Sequence, residues 1–206
     1  ALVPESLKKL LTAGFTVSVE AGAGRSSGHD DAEYASAGAG VFSREHILKS
    51  DIVVGLHFPS EDHLRPGTIL VCVADPFRHP HRVRHCCTNN LTLLSLDTIP
   101  RRLTNAQRMD VNSSQDALHG YQAVVHGASM LPKAIPMLTT AAGSVRPAKA
   151  LVMGSGVAGL QAIATAKRLG AVVYASDVRK SAAEQIESVG GRFIEVDGMD
   201  DFEDAS

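Results

Sequence analysis

Aromatic residues are scarce in this chain: they occupy 4% of 206 positions, with three tyrosines and no tryptophan. A platform that stacks sugars or single-stranded nucleic acid is therefore not expected. Cysteine is also rare, and Cys72, Cys86 and Cys87 are too few and odd in number for a disulfide-stapled secreted scaffold. Their sparse use indicates a reducing compartment. No apolar run reaches the roughly 18 residues of a membrane-spanning helix, so we expect no direct membrane insertion.

Neither sign of charge dominates the chain. Twenty Lys and Arg residues against 22 Asp and Glu residues give a net charge of −2, which predicts no general affinity for nucleic acid or anionic lipid. Apolar residues are plentiful, at 44%, which is enough for a buried core. The length suits one large domain or two small ones.

Short apolar strands alternate with helical patterns along the chain, which is typical of a mostly parallel sheet covered by helices. In the N-terminal half, the hydrophobic pattern predicts a helix at 2–11 and strands at 15–20, 51–57, 68–74 and 91–96. The strand at 51–57 is predicted to be buried. A helical stretch follows from 105 to about 137, then an apparent linker at 139–147. The C-terminal region predicts strands at 150–153, 171–176 and 192–196, with helices at 157–169 and 181–189.

A glycine motif, Gly154-Ser-Gly156-Val-Ala-Gly159, lies between the strand at 150–153 and the helix at 157–169. In a dinucleotide-binding turn, the first glycine permits the bend, the second admits a pyrophosphate and the third lets helix and strand pack closely. Asp177 ends the next strand, where a carboxylate binds the adenine ribose diol and repels a 2′-phosphate, so NAD(H) is favoured over NADP(H). Arg179, two residues later, leaves a 2′-phosphate possible.

The position of this motif predicts the domain organisation. We expect an α/β fold of two Rossmann-like parallel-sheet domains, at 1–112 and 139–206, joined by a helix at 113–138. A dinucleotide fold needs two halves, and only three strands of the first half follow residue 148. The second domain is therefore expected to be truncated, without its nicotinamide half. With Ala1 in place of an initiating Met, the chain is interpreted as a fragment.

The segment at 99–114 concentrates Arg, Gln, Asp and Ser before the helical stretch. One interpretation is a polar clamp for a carboxamide. The other is a solvated loop whose Ser or Asp caps the next helix, and spacing alone favours this second interpretation.

Three segments together resemble the NAD(H)-binding domain I of the alpha subunit of proton-translocating NAD(P) transhydrogenase: 139–143, 154–173 and 176–179. The loop with Arg102, Gln107 and Asp110 resembles the Arg–Gln–Asp loop of that family, which the first domain would carry. The resemblance implies an oxidoreductase, Re/Si-specific NAD(P)⁺ transhydrogenase, that binds NAD(H) between two domains and passes a hydride to NADP⁺ on a partner component. It also implies a membrane proton-channel component, a homodimer, and a peripheral location on the cytoplasmic face of the inner membrane, or on the matrix side in mitochondria.

The resemblance also implies residue roles. Arg102, Gln107 and Asp110 would serve catalysis by holding the nicotinamide end. Arg101 competes with Arg102 for the role of loop arginine, because Arg101 directly follows Pro100, whereas the spacing to Gln107 selects Arg102. The implied cofactor-binding residues are Arg102, Gln107, Arg108, Met109, Asp110, Ser113, Gly154, Gly156, Val157, Ala158, Gly159, Asp177, Val178 and Arg179.

Two other functions are alternatives. In the related alanine dehydrogenases, the substrate lysine would fall at Gly55 and the catalytic histidine near 73–75, and this chain has neither. Amine oxidation needs such proton-transfer groups, whereas hydride exchange between two nicotinamides needs only orientation and proximity. A nucleotide-binding fragment without turnover is the other alternative. The His- and Cys-containing segment at 77–87 matches no standard zinc spacing, so no metal is expected. His57 is predicted to be a packed or cleft histidine.

Overall fold

A computed structural model describes residues 2–59, 64–100 and 103–196 of the chain. The chain divides into two compact units, Ala1–Asp110 and Val111–Ser206. Each unit is built on parallel strands flanked by helices, which confirms the α/β class predicted from the sequence. No helix among the described residues is both long and apolar enough to span a bilayer.

The first unit contains five short strands and four helices in its described residues. The strands are β1 Ser18–Glu20, β2 Gly40–Phe42, β3 Ile52–His57, β4 Ile69–Val73 and β5 Thr92–Ser95. The helices are α1 Pro4–Thr12, α2 Asp31–Ser36, α3 Arg44–Ile47 and α4 Pro80–Thr88. Single 3₁₀ turns occupy Arg25–Ser27, Leu96–Thr98 and Gln107–Met109.

These strands form two parallel sheets, β1–β2 and β3–β4–β5. An apolar cluster that includes Leu7 and Tyr34 packs on the first sheet. A second apolar cluster, which includes Leu70 and Cys72, packs on the other sheet. Local sequence fixes the flanking helices: Pro4 opens α1, and the Asp30 carboxylate caps α2 by accepting from the Glu33 N–H at 2.8 Å.

The second unit begins with the long helix α5 Val111–Met130, followed by an antiparallel hairpin of β6 Leu138–Thr140 and β7 Gly143–Val145. Its parallel sheet contains β8 Lys149–Met153, β9 Val172–Ser176 and β10 Arg192–Phe193. Helix α6 Val157–Arg168 connects β8 to β9, and α7 Ala183–Ser188, preceded by a 3₁₀ turn at Lys180–Ala182, connects β9 to β10.

The strand order of this sheet is β10–β9–β8, so β8, the first of its three strands in sequence, lies at one edge and β10, the third, lies at the other. This is the order of the first mononucleotide half of a Rossmann sheet. Ile163, Val173 and Ile186 form the centre of its core, each at most 1% exposed. Helix α5 packs on α6, and a Cβ on Gly120 would collide with the Ala158 carbonyl, so glycine permits this close approach.

Three local predictions were wrong. The expected linker at 139–147 contains the β6–β7 hairpin. The helix expected to continue to about 137 ends at Met130, because Pro132 disfavours helical backbone at the residue before it. The strand predicted to be buried at 51–57 forms β3, but only Val53 on it is buried, because β3 is an edge strand. Strand β2 and helix α3, three and four residues long, were not predicted.

Candidate functional site

The glycine motif forms the turn between β8 and α6, at the carboxyl end of the parallel sheet. Gly154 has φ +95°, a left-handed conformation that favours glycine. Its N–H donates to the Ser176 carbonyl at 2.8 Å, which ties the start of the turn to the end of β9. The glycine turn therefore lies directly beside the residue that follows β9, Asp177.

The second and third glycines have different structural reasons. A Cβ on Gly159 would collide with the Gly154 carbonyl oxygen, so this position sets how closely α6 packs on the turn. A Cβ on Gly156 would meet no atom within 4 Å, so the space beside this residue is open. Gly156 is also the N-cap of α6 and offers no side chain to the first-turn N–H groups, which makes this helix end suitable for an anion.

Asp177 is the charged centre of the site, and its side chain is only 7% exposed. Its Oδ2 accepts from the Ser155 N–H at 2.7 Å and from the Ser155 hydroxyl at 2.6 Å. Its Oδ1 accepts from the Arg179 N–H at 2.9 Å and from Arg179 Nε at 3.1 Å. The carboxylate thus joins the glycine turn to the segment after β9.

These contacts decide the charge of Asp177. Burial by itself raises the pKa of a carboxyl, but the hydrogen bonds from Arg179 and Ser155 outweigh it, so the pKa of Asp177 lies well below its ordinary value. The group is therefore an anion at neutral pH and carries only acceptor sites.

Arg179 forms a close ion pair with Asp177, and its side chain is 32% exposed. The sequence left open whether this arginine binds a 2′-phosphate. In the structure its guanidinium is directed to the Asp177 carboxylate, so much of its charge is already balanced. The Asp177–Arg179 pair therefore gives little attraction for a 2′-phosphate at this position.

Two apolar side chains flank the polar centre. Val157, at the first position of α6, and Val178, directly after Asp177, are 41% and 40% exposed. Apolar groups with this exposure offer a surface for an aromatic ring. Ala158, between Val157 and Gly159, is half-buried.

Sequence reasoning missed Ser155 and the role of Gly120. Ser155 is 1% exposed and supplies two donors to Asp177, although the motif treats its position as variable. The available signal was a hydroxyl between two glycines, opposite an acid that ends the neighbouring strand. No sequence pattern indicates that Gly120 contacts Ala158.

The second set of predicted residues lies in and after the loop at 103–110. Gln107, Arg108 and Met109 are exposed in one 3₁₀ turn, and Asp110 follows it. Ser113 lies in the first turn of α5. Arg101 and Arg102 fall outside the described residues, so the arginine prediction stays open.

A carboxylate in the first unit makes contacts of the same kind as Asp177. Asp97, which follows β5, accepts from the Ala74 and Asp75 N–H groups at 3.1 and 3.0 Å, in the segment after the neighbouring strand β4. The Ser95 hydroxyl donates to it at 2.6 Å. Burial opposes this arrangement, but these hydrogen bonds lower the pKa of Asp97.

The first unit also contains a cavity of about 360 Å³, lined by residues that include Tyr34, Arg44, Gly55 and His57. Arg44 pairs with Glu20 at 3.1 Å. Because His57 lines this cavity, it has the cleft environment, which is one of the two environments predicted for it. Within 2–59, 64–100 and 103–196, no three His, Cys, Asp or Glu side chains converge as a metal site.

Comparison with known proteins places this geometry in a family. The N-terminal domain of the family "Alanine dehydrogenase/PNT" matches residues 1–118, and its C-terminal domain matches residues 123–204. The chain belongs to the alanine dehydrogenase/PNT family. Within this family, an NAD(P) transhydrogenase subunit alpha protein of Rhodospirillum rubrum is 42% identical over 96% of this chain and 54% of its own length.

Two further comparisons show that this chain is more similar to transhydrogenases than to an alanine dehydrogenase. The transhydrogenase from Sinorhizobium meliloti, whose crystal structure is known, is 46% identical to this chain, with a TM-score of 0.90. The match covers 95% of this chain and 57% of the S. meliloti chain. Alanine dehydrogenase of Bacillus subtilis is more distant, at 24% identity over 94% of this chain and 52% of its own. The chain spans about half the length of the curated relatives it matches. The family resemblance predicted from the sequence is confirmed.

Proposed function

We propose that this chain is the NAD(H)-binding part of an NAD(P) transhydrogenase alpha subunit. The observation that carries the proposal is the pairing of an open glycine turn at Gly156 with the ionised Asp177 at the end of the next strand. The names of the relatives support it, because the R. rubrum protein at 42% identity is a transhydrogenase subunit.

The described residues fit the adenosine half of NAD(H). The open space at Gly156 and the first-turn N–H groups of α6 would receive the pyrophosphate. The Asp177 carboxylate would accept from the ribose diol, and Val157 and Val178 would contact the adenine ring. The charge of Asp177, and its pairing with Arg179, favour NAD(H) over NADP(H).

The loop at 99–114 would hold the nicotinamide end. Arg102 would bond the carboxamide, Asp110 and Ser113 would support it, and Gln107 would reach towards the NADP(H) of the partner component. When bound, NADH supplies a hydride, which is one proton with two electrons, to NADP⁺. The residues of this chain need only orient the ring and exclude water for that transfer, since no group is protonated or deprotonated.

The remaining elements of the proposal concern assembly. An NADP(H)-binding component would present the acceptor, and a membrane component would couple the transfer to proton movement, with this chain peripheral on the cytoplasmic or matrix side. We also propose a homodimer. The β6–β7 hairpin supports it, because all of its residues are exposed and both Leu138 and Val145 are about half exposed.

The deciding experiment measures NADH binding by the full chain and then hydride transfer to an NADP⁺ analogue after the NADP(H)-binding component is added. We expect tight NADH binding, weak NADPH binding, and turnover only with both components. NADH oxidation that depends on pyruvate and ammonia would instead identify an alanine-dehydrogenase-like enzyme. NADH binding without turnover in the presence of the partner would identify a non-catalytic nucleotide-binding protein.

A further inference from the structure

The two oxygens of the Asp177 carboxylate have unequal surroundings. Oδ2 accepts from the N–H and the hydroxyl of Ser155 at 2.7 and 2.6 Å, with Arg179 Nη2 farther away at 3.5 Å, and Ser155 is 1% exposed. Oδ1 accepts from the backbone N–H of Arg179 at 2.9 Å and from its Nε at 3.1 Å, and the Arg179 side chain is 32% exposed. One oxygen is thus fixed from inside the protein, and the other faces a side chain that borders solvent.

We propose that Ser155 is a positioning residue that fixes Asp177 through Oδ2, so that Oδ1 is the oxygen offered to the adenine ribose. The inference rests on the proposed function, because it takes the glycine turn to be the NAD(H) site. When the nucleotide binds, a ribose hydroxyl would replace Arg179 Nε at Oδ1, while the Arg179 N–H would stay on Oδ1 and Arg179 Nη2 would stay near Oδ2. The Ser155 contacts remain, because Ser155 is 1% exposed and its N–H belongs to the backbone of the glycine turn.

The hydroxyl of Ser155 has a role that its N–H alone does not fill. Without the hydroxyl, Oδ2 would keep one close donor, the Ser155 N–H, and the carboxylate would be held less firmly in one orientation, because its Cβ–Cγ torsion has a broad profile. Two donors from one residue restrict the orientation of the group. A rotated carboxylate would still repel a 2′-phosphate, but it would bind the ribose diol less well. Ser155 therefore acts on NADH affinity more than on NADPH rejection.

The first variant is Ser155→Ala, which removes the hydroxyl and keeps the N–H donor. A hydrogen bond to a charged group contributes enough that we expect the Kd for NADH to rise about tenfold. NADPH binding should change less. The loss of NADH affinity on acidification should begin at higher pH than in the wild type, because the pKa of Asp177 rises when a donor is removed.

Three comparisons separate positioning from a general structural effect. Ser95→Ala removes the same hydroxyl–carboxylate contact in the first unit, at Asp97, and should leave NADH affinity unchanged. In an Asp177→Asn background, Ser155→Ala should have no further effect on NADH affinity. Ser155→Cys, with a weaker donor, should give an intermediate Kd, and it provides the measurement if the alanine variant does not fold.

The outcomes are distinguishable. If the wild-type chain does not bind NADH, the proposed function itself is wrong. If the wild type binds NADH but Ser155→Ala matches it in Kd and pH profile, the positioning role is wrong and the proposed function stands. An equal loss of affinity in Ser155→Ala with and without Asp177→Asn would also overturn the inference, since Ser155 would then act independently of Asp177.

Discussion

The two units of this chain use the same contact at the carboxyl ends of their sheets. In the second unit Asp177 follows β9 and binds the turn after β8, and in the first unit Asp97 follows β5 and binds the segment after β4. In both, a serine hydroxyl donates to the carboxylate at 2.6 Å. Neighbouring parallel strands end at the same edge, so an acid after one strand readily meets the N–H groups after the other.

The units differ in the segment that comes after the contacted strand. The turn after β8 and the first turn of α6 together contain three glycines, and they leave open space at Gly156. The segment after β4 contains no glycine, and Arg82 from α4 donates to the Ala74 carbonyl at 2.8 Å within it. The carboxylate contact is therefore a structural feature of both units, and it is the glycine turn that distinguishes the candidate nucleotide site.

The largest effect is expected from an added methyl group in the glycine turn. Gly159→Ala would place its Cβ against the Gly154 carbonyl oxygen, and a clash with backbone cannot be relieved by a rotamer change. We expect a loss in the free energy of unfolding of about 3 kcal/mol. Chemical denaturation measures the loss, and hydrogen exchange of α6 amides locates it in the second unit.

Gly156→Ala is the matched control, because its Cβ would meet no atom within 4 Å and the backbone conformation, φ −66°, suits alanine. Its stability should stay within about 0.5 kcal/mol of the wild type. NADH affinity should nevertheless fall at least about tenfold, since the methyl group enters the space assigned to the pyrophosphate. Unchanged NADH affinity in this variant would contradict the assignment of the open space.

The two carboxylates themselves provide the next prediction. Asp97→Asn places an amide where two N–H groups and a hydroxyl donate, so at least one donor loses its acceptor. We expect a loss of about 2 kcal/mol in the free energy of unfolding, with NADH affinity unchanged. Asp177→Asn should reduce NADH affinity as well as stability. A loss of NADH affinity in the Asp97 variant would contradict the distinction between the units.

The sequence predicted the features of this site that depend on local pattern. The glycine turn and Asp177 were found because each has a backbone or charge requirement at a fixed distance from a strand. The Ser155–Asp177 and Ala74–Asp97 contacts join residues 22 and 23 positions apart. They follow from strand register, in which Met153 pairs with Ser176, and register is not visible in hydrophobic periodicity. Strand β2 and the β6–β7 strands have three residues each, too few for a periodic pattern.

Acid should weaken both units through these carboxylates. Because the pKa of each is lower in the folded than in the unfolded chain, each stabilises the fold fully above the ordinary value of about 3.9. The contribution is lost as the pH falls from about 5 through the folded pKa. Denaturation midpoints measured across this range should fall less steeply in Asp97→Asn and in Asp177→Asn than in the wild type. Slopes equal to the wild type in both variants would show that other groups dominate.

The smallest effect concerns thiol reactivity, which reports on the first unit alone because the chain's three cysteines all lie there. Burial, with smaller effects from Cys86 and Asp97, raises the pKa of Cys72 to about 11, and burial also raises the pKa of Cys86. Cys87 is exposed. A thiol reagent at neutral pH should therefore modify Cys87 quickly and the other two only when the unit opens.

Two variants turn this labelling into a test of the comparison, with Cys87→Ser as the background that removes the fast phase. Asp97→Asn should speed modification of Cys72 and Cys86, because the segment after β4 loses its acceptor beside them. Asp177→Asn should leave both rates at the wild-type value, since its contacts lie in the second unit. Equal acceleration in both variants would mean that the units open together, and the two carboxylates would then stabilise one cooperative structure instead of two.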